Sequence, residues 1–411
     1  MKVLLIGSGG REHAIGWKLA TSPHVKELIS LPGNPGLAEL GPVVEGISTS
    51  DVGAIAAMAR VHAVDLVIVG PEAPLAAGLV DALTSLGVES FGPTRAAARL
   101  ESSKAFAKQT MEKAGVPTAG SRTFTDLEEA RSHIEQVDPP YVVKADGLAA
   151  GKGVLVTESA ADASDWARRC FDGSFGDAGN SIVIEEFLDG PEISIFCVCT
   201  ESGAVPLEPA RDYKRLSNGD EGPNTGGMGS YSPVTNLPEG FVEQVMSDVV
   251  EPTLAQMAED GNPFTGFLYA GLVLTGDGPK VLEFNVRLGD PETQVVLPRL
   301  ENDLIDVIQG AQPAWSTEAA VNVVLAAPGY PESPQTGGTI KGLRDVPEDV
   351  LVFHAGTARD GKRLIVDGGR ALSVVGRGED LEAARQRAYL AVEAISWPDM
   401  QIRTDIGQPS S

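Results

Sequence analysis

Cysteine is nearly absent: Cys170, Cys197 and Cys199 are the only three in 411 residues. Three thiols so unevenly placed build neither a disulfide framework nor a four-ligand zinc site. Cys197 and Cys199 stand two apart in an apolar run, which predicts two small side chains buried on one face of a strand. The five histidines, His13, His24, His62, His133 and His354, show no metal-ligand spacing, and no G-x-S-x-G elbow occurs. Zinc catalysis and covalent serine catalysis therefore have no support in the sequence. Positive charge is scarce as well, with 32 Lys and Arg against 57 Asp and Glu, a formal net charge of −25. Such a chain is a poor candidate for wrapping nucleic acid, because phosphate neutralisation dominates that affinity. A local group of lysines and backbone N–H groups can still hold an anionic small molecule. There is no apolar run of the roughly 18 residues a membrane span needs, and no leader pattern. The expectation is a soluble, reducing, cytoplasmic protein with no nucleic-acid or membrane partner.

What is present is ordinary globular composition, 42% hydrophobic and 22% charged, at a length that suggests about three domains. The first hundred residues alternate short apolar runs (3–6, 28–31, 65–69) with helical spacing (13–20, 55–62, 75–86). That is the pattern of a doubly wound unit around a parallel sheet. Ser102 or Ser103 suits the cap of a helix running to residue 114, with Gly115 and Pro117 stopping it. From residue 141 the texture changes to β-branched runs at 141–144, 153–157, 181–187 and 192–199, with one helical stretch near 161–170. This predicts a small α+β subdomain with an antiparallel sheet. Residues 216–229 read as a long Gly/Asn/Asp-rich loop, followed by a helix near 241–259 and strands at 266–274 and 280–285. Beyond a Pro-rich stretch at 328–334 lies a last α+β segment with a helix at 381–395.

Three motifs carry chemistry. The first, Gly7-Ser8-Gly9-Gly10-Arg11-Glu12-His13, follows the first strand. Glu12 stands where a dinucleotide fingerprint needs its third glycine, and Leu31-Pro32-Gly33 supplies no acidic residue for a ribose, so a dehydrogenase is disfavoured. Gly9 and Gly10 still permit a phosphate to approach the helix N-terminus. The second, Lys144-Ala145-Asp146-Gly147-Leu148-Ala149-Ala150-Gly151-Lys152-Gly153, fails as a P-loop in both glycine spacing and the residue after Lys152. A flexible Gly/Ala hairpin with a lysine at each shoulder suits a lid over a triphosphate. The third is Glu283-Phe284-Asn285-Val286-Arg287-Leu288-Gly289-Asp290-Pro291-Glu292. Strand alternation puts Glu283, Asn285 and Arg287 on one face. A carboxylate and an amide oxygen two apart make a hard-oxygen pair for Mg²⁺, and Arg287 can hold a carboxylate or a transferring phosphoryl group. A weaker signal is Glu185-Glu186-Phe187-Leu188 with Glu192, which can read an adenine edge and a ribose.

The order of a small α/β domain, a two-lysine lid, E-x-x-L and a strand E-x-N resembles the ATP-grasp superfamily of carboxylate–amine ligases. Within it, Gly7–His13, Gly70-Pro71-Glu72, Gly222-Pro223-Asn224-Thr225-Gly226-Gly227-Met228-Gly229, Gly289–Gln294, 353–357 and 403–407 resemble the family that joins glycine to 5-phosphoribosylamine. The likeness spans essentially the whole chain, which resembles the single-function form. Two positions depart from that family's pattern: Tyr213 where His is common, and Leu288 where Phe is usual.

The resemblance implies an N-terminal doubly wound parallel-sheet domain (1–102) and a central ATP-grasp fold (103–190 and 191–312). A mobile lid subdomain would lie at about 120–188, and a small C-terminal α+β domain would cover 313–411. It implies ATP as co-substrate, with Mg²⁺ or Mn²⁺ on Glu283 and Asn285. Lys104, Lys144, Gly151, Lys152 and Gly153 would hold the phosphates, and Glu185, Glu186, Leu188 and Glu192 the nucleoside. Arg287, Asp212, Asp290 and Glu292 would hold glycine and the reacting group. Gly9, Gly10 and Glu72, with Thr225 and Gly226, would meet phosphoribosylamine. The expected reaction makes glycinamide ribonucleotide, ADP and phosphate in purine biosynthesis, in a monomer or at most a weak dimer.

Overall fold

The computed structural model describes residues 1–149 and 153–408. The N-terminal sheet is parallel, with strands in the order Glu27–Pro32, Lys2–Gly7, Leu66–Val69, Ser90–Phe91. Alternation along these strands decides which layer each side chain joins. Leu4, Ile6, Val67 and Val69 pack toward the helices Val52–Val61 and Leu79–Ser85. Val3, Leu5, Leu66 and Ile68 pack toward the helix Gly10–Ala20. With both faces covered, the domain is doubly wound. The helix expected over 75–86 is instead two, Glu72–Ala76 and Leu79–Ser85, because Gly78 takes φ +91° between them.

The next sheet runs Ser121–Phe124, Ile182–Glu185, Tyr141–Ala145, Val154–Thr157, all antiparallel. Phe124, Tyr141, Val143 and Ile184 on one face meet Ala130, Ile134, Ala163 and Ala167 of the helices Leu127–Ile134 and Ala160–Arg169. Lys144 and Glu185 therefore fall on the opposite face. A third sheet, Gly203–Pro206, Glu192–Thr200, Gly266–Thr275, Gly278–Asn285, is antiparallel and buries Cys197 and Cys199. The helix Lys104–Ala114 is capped by Ser103, whose Oγ accepts from Phe106 N, and stopped by Gly115 at φ +68°.

The fourth sheet draws on distant parts of the chain: Arg211–Asp212, Gly229–Ser232, Ala319–Ala326, Arg370–Gly378, Leu351–His354. The helix Leu381–Ala394 lies on it, close enough that a Cβ at Gly376 would collide with the Ala384 carbonyl. Residues 216–229 are not a structureless loop. Arg215–Ser217 and Glu221–Asn224 pair as a hairpin, turned by Gly219 (φ +71°) and Asp220 (φ +57°). Asn218 Nδ2 donates to Thr404 Oγ1 at 2.6 Å and Gly219 N to Asp405 Oδ2 at 2.9 Å, which ties the hairpin to the C-terminal segment.

The N-terminal and C-terminal sheets meet at two histidines. His13 Nδ1 accepts the His354 backbone N–H at 2.7 Å, and His354 Nδ1 lies 3.0 Å from Thr357 Oγ1. Burial, then the neighbouring His354, pushes His13 down to about 3. Burial, then Arg359, lowers His354 to about 4. Both folded values lie below the unfolded one near 6.5, so the native state resists protonation. Stability is full above pH 6.5 and is lost as pH falls toward the folded values, at up to about 1.4 kcal/mol per unit for each histidine. Urea unfolding of the wild type should lose roughly 1.6 kcal/mol per histidine between pH 6.5 and 5. His13→Gln should show a shallower slope, and equal slopes would refute this account.

Candidate active site

The crevice at the C-terminal ends of the parallel strands is filled from within. Glu12 Oε2 accepts the Gly9 N–H at 2.6 Å, and Oε1 accepts Arg11 Nε at 2.5 Å. A Cβ on Gly7 or Gly70 would collide with the Glu12 side chain. An internal carboxylate thus takes the helix-terminal position where a dinucleotide would place its pyrophosphate. Gly10 abuts other parts of the chain: a Cβ there would sit 2.8 Å from Gln294 Nε2 and 3.6 Å from Ser373 Oγ.

The strand Gly278–Asn285 carries the centre of the site. Glu283 lies opposite Gly271 and Asn285 opposite Tyr269. The strand ends at Asn285, yet Arg287 stays on the same side, its Nη2 donating to Asn285 Oδ1 at 3.2 Å. Two further carboxylates reach the guanidinium, Glu72 at 3.2 Å from Nε and Glu101 at 3.0 Å from Nη2. Burial raises Glu101 to about 7 in spite of Arg287. Burial also acts upward on Glu72, but Arg287 and Arg11 outweigh it and leave that group below the usual carboxylate value. Burial works against the Arg287 charge, but Glu101, Glu72, Glu292 and Glu283 together raise its pKa. Glu283 itself makes no hydrogen bond or ion pair among the described residues. Its carboxylate and Asn285 Oδ1 form a pair of hard-oxygen ligands that fits a divalent cation.

Facing this strand is a group of ammonium ions. Lys144 Nζ lies 2.9 Å from Glu185 Oε2 and 3.4 Å from the Leu282 carbonyl. Lys104 Nζ donates to the Gly147 carbonyl at 3.2 Å; burial lowers its pKa, opposed by Glu283 and reinforced by Lys144. Lys108, which the sequence reading missed, shares Glu185 Oε2 at 3.3 Å and also donates to Thr118 Oγ1 and the Ala119 carbonyl. It stands one helical turn after Lys104, so i, i+4 spacing was a usable signal. Gly151 and Lys152 lie outside the described residues. Gly153 packs tightly, since a Cβ there would meet Ala149 Cβ at 2.7 Å. Glu186 Oε2 accepts the Gly120 N–H at 3.1 Å, and Leu188 is half-buried beside it.

A second cluster surrounds Lys214. Its Nζ pairs with Glu192 and, at 3.2 Å, with Asp212. Burial, then the neighbouring Asp212, pushes Glu292 up. Burial also raises Asp212, with Lys214 opposing. Glu292 Oε1 accepts Ser194 Oγ at 3.1 Å. Asp290 points elsewhere, to Arg370 Nη2 at 2.8 Å, and Gln294 Nε2 donates to its Oδ1 at 2.8 Å. Arg370 also donates to the carbonyl of Gly226, while Thr225 Oγ1 donates to the Lys214 carbonyl at 2.8 Å. Arg370 thereby brings the 225–227 turn and the 289–292 turn together. Lys214, Arg370, Glu101 and Lys108 are the participants that sequence reading did not single out.

The two departures adjoin these charges in the chain, and the Leu288 carbonyl accepts from Arg287 Nη1 at 3.3 Å, but their side chains make other contacts. Tyr213 OH accepts the Gly407 N–H at 3.1 Å under the Arg403 guanidinium, and Leu288 lines a small apolar hollow with Phe196, Thr293, Val296 and Leu297.

The chain is similar to known proteins over nearly its whole length. Family models match as the phosphoribosylglycinamide synthetase N domain over 1–101, its ATP-grasp (A) domain over 102–293 and its C domain over 320–409. Phosphoribosylamine–glycine ligase of Rhizobium meliloti is 47% identical, over 99% of this chain and 98% of that protein. The Phenylobacterium zucineum protein of the same name is 48% identical over 99% of each. The crystal structure of the Thermotoga maritima phosphoribosylamine–glycine ligase superposes with a TM-score of 0.87 at 36% identity, covering 98% of this chain and 100% of that one. With all three domain models matched in order and identity near one half over the full length, the chain belongs to the phosphoribosylglycinamide synthetase family.

Proposed function

We propose that this protein joins glycine to 5-phosphoribosylamine at the expense of ATP, giving glycinamide ribonucleotide, ADP and phosphate in purine biosynthesis. The observation that carries the reading is the strand end Glu283–Asn285–Arg287 lying against the lysines of the neighbouring sheet and helix. Its relatives bear the corresponding name. Glycine carboxylate is a poor electrophile, and phosphorylation makes it a mixed anhydride. One carboxylate oxygen attacks the γ-phosphorus, the bond to the β-bridging oxygen breaks, and ADP leaves. The amine lone pair of phosphoribosylamine then attacks the acyl carbon, phosphate departs with the shared oxygen, and the amine gives up a proton.

Such chemistry asks the protein for position and charge rather than a nucleophile. ATP-grasp ligases use ATP with a divalent metal; Glu283 and Asn285 fit it here, as Mg²⁺ or Mn²⁺, and it would neutralise the phosphates. Lys104, Lys144 and Lys152 hold the phosphate oxygens, and Glu185, Glu186, Leu188 and Glu192 border the nucleoside. Arg287, together with Asp212, Asp290 and Glu292, holds glycine and the transferring group. Gly9, Gly10, Glu72, Thr225 and Gly226 border phosphoribosylamine. No helix among the described residues is long and apolar enough to cross a membrane, and we place the reaction in the cytoplasm.

Isotope transfer tests the route. Glycine carrying heavy oxygen in its carboxylate should yield labelled inorganic phosphate and ADP, read by mass spectrometry. Unlabelled phosphate, or AMP as product, would overturn the acyl phosphate.

A further inference from the structure

Glu101 belongs to the short helix Arg99–Ser102, between the N-terminal sheet and the helix Lys104–Ala114. Its two oxygens do different work. Oε2 accepts the Val286 backbone N–H at 2.7 Å, and Oε1 lies 3.0 Å from Arg287 Nη2. Val286 is the residue directly after Asn285, and Arg287 Nη2 is also the atom that touches Asn285 Oδ1. One carboxylate therefore fixes both the backbone leaving the strand and the guanidinium that orients the amide oxygen. Its side chain is 7% exposed, whereas Glu72, the other carboxylate on Arg287, is 28% exposed. Burying a carboxylate so completely is costly unless it is fully paired, and here the pairing runs to one charged group and one backbone donor.

We propose that Glu101 is a positioning residue: through Arg287 and the Val286 N–H it holds Asn285 in place for the divalent metal–nucleotide complex. This rests on the reading of Glu283 and Asn285 as the metal pair. Without Glu101, Val286 N–H loses its acceptor and Arg287 Nη2 loses the carboxylate that sets its direction. The guanidinium is then free to swing toward Glu72, taking its contact with Asn285 along. Partners that orient a metal ligand typically change metal affinity or activity by about 10- to 100-fold when removed.

The test measures Mn²⁺ binding in the presence of ADP by electron paramagnetic resonance, which needs no turnover. Full-length Glu101→Ala, shown folded by circular dichroism, should raise the Mn²⁺ dissociation constant by about 10- to 100-fold over wild type. Glu101→Gln keeps an acceptor for Val286 but removes the charge, and should fall between the two. A folded Glu101→Ala, or Glu101→Gln if the alanine variant does not fold, that binds Mn²⁺ within twofold of wild type would overturn the proposal. A purely structural role would lower thermal stability and leave that constant unmoved. Failure of the ligase reading is separate: it would appear as wild-type protein forming no ADP from glycine and phosphoribosylamine while binding Mn²⁺ and ADP normally.

Discussion

Glu283→Gln is expected to lose at least a hundredfold in turnover, about 2.7 kcal/mol of transition-state stabilisation, with the fold unchanged. The substitution keeps volume and shape but removes one charge from the oxygen pair of Glu283 and Asn285. Because the Glu283 side chain makes no hydrogen bond or ion pair among the described residues, the folded protein feels its charge only at longer range, through Arg287 and Lys104. The thermal midpoint should therefore stay within about 2 °C of wild type. The charge matters most when phosphates and a cation arrive. Steady-state kinetics with excess Mg²⁺ measures the effect. Activity within about tenfold of wild type, a cost of only about 1.4 kcal/mol, would remove Glu283 from the proposed metal pair.

What could be seen in the sequence was local. Period two along 281–287 put Glu283, Asn285 and Arg287 on one side, and the hydrogen bond from Arg287 to Asn285 agrees with that even though the strand has ended. Glu12 in place of a glycine argued against a dinucleotide, and the side chain in fact caps its own helix through Gly9. Gly115 and one of the two candidate caps, Ser103 rather than Ser102, mark the ends of the helix, because capping is a property of neighbours. What escaped is set by chain crossings that no spacing records. Glu101 meets Val286 across 185 residues, and Arg370 meets Asp290 across 80. His24 comes within 3.2 Å of Asp306 because the segment after the first helix lies against the start of the helix Leu304–Ile308, where Ser22 Oγ donates to Asp303. The hairpin at 215–224 read as loop since its strands lack apolar alternation; distant contacts with Thr404 and Asp405 hold it. Lys144 and Glu185 were read as separate ATP contacts, whereas the fold first pairs them with each other.

That pairing sharpens the last prediction, which separates two lysines on one carboxylate. Glu185 is only 2% exposed and shares its Oε2 between Lys144 and Lys108. An ammonium has three donors. Lys108 spends all three, on Glu185, Thr118 Oγ1 and the Ala119 carbonyl. Lys144 spends one fully on Glu185 and a second on a long 3.4 Å contact with the Leu282 carbonyl, so at least one N–H remains for a phosphate oxygen beside Glu283. Either alanine variant leaves Glu185 half compensated, which should cost about 1–3 kcal/mol of stability. Their effects on ligand should differ. Lys144→Ala is expected to weaken ATP at least tenfold in a calorimetric titration and to leave phosphoribosylamine affinity nearly unchanged. Lys108→Ala should destabilise the protein comparably and move the ATP dissociation constant by less than about threefold, or roughly 0.7 kcal/mol. If ATP affinity instead follows Lys108, or survives the loss of Lys144, the phosphate-binding role passes from Lys144 to its neighbours.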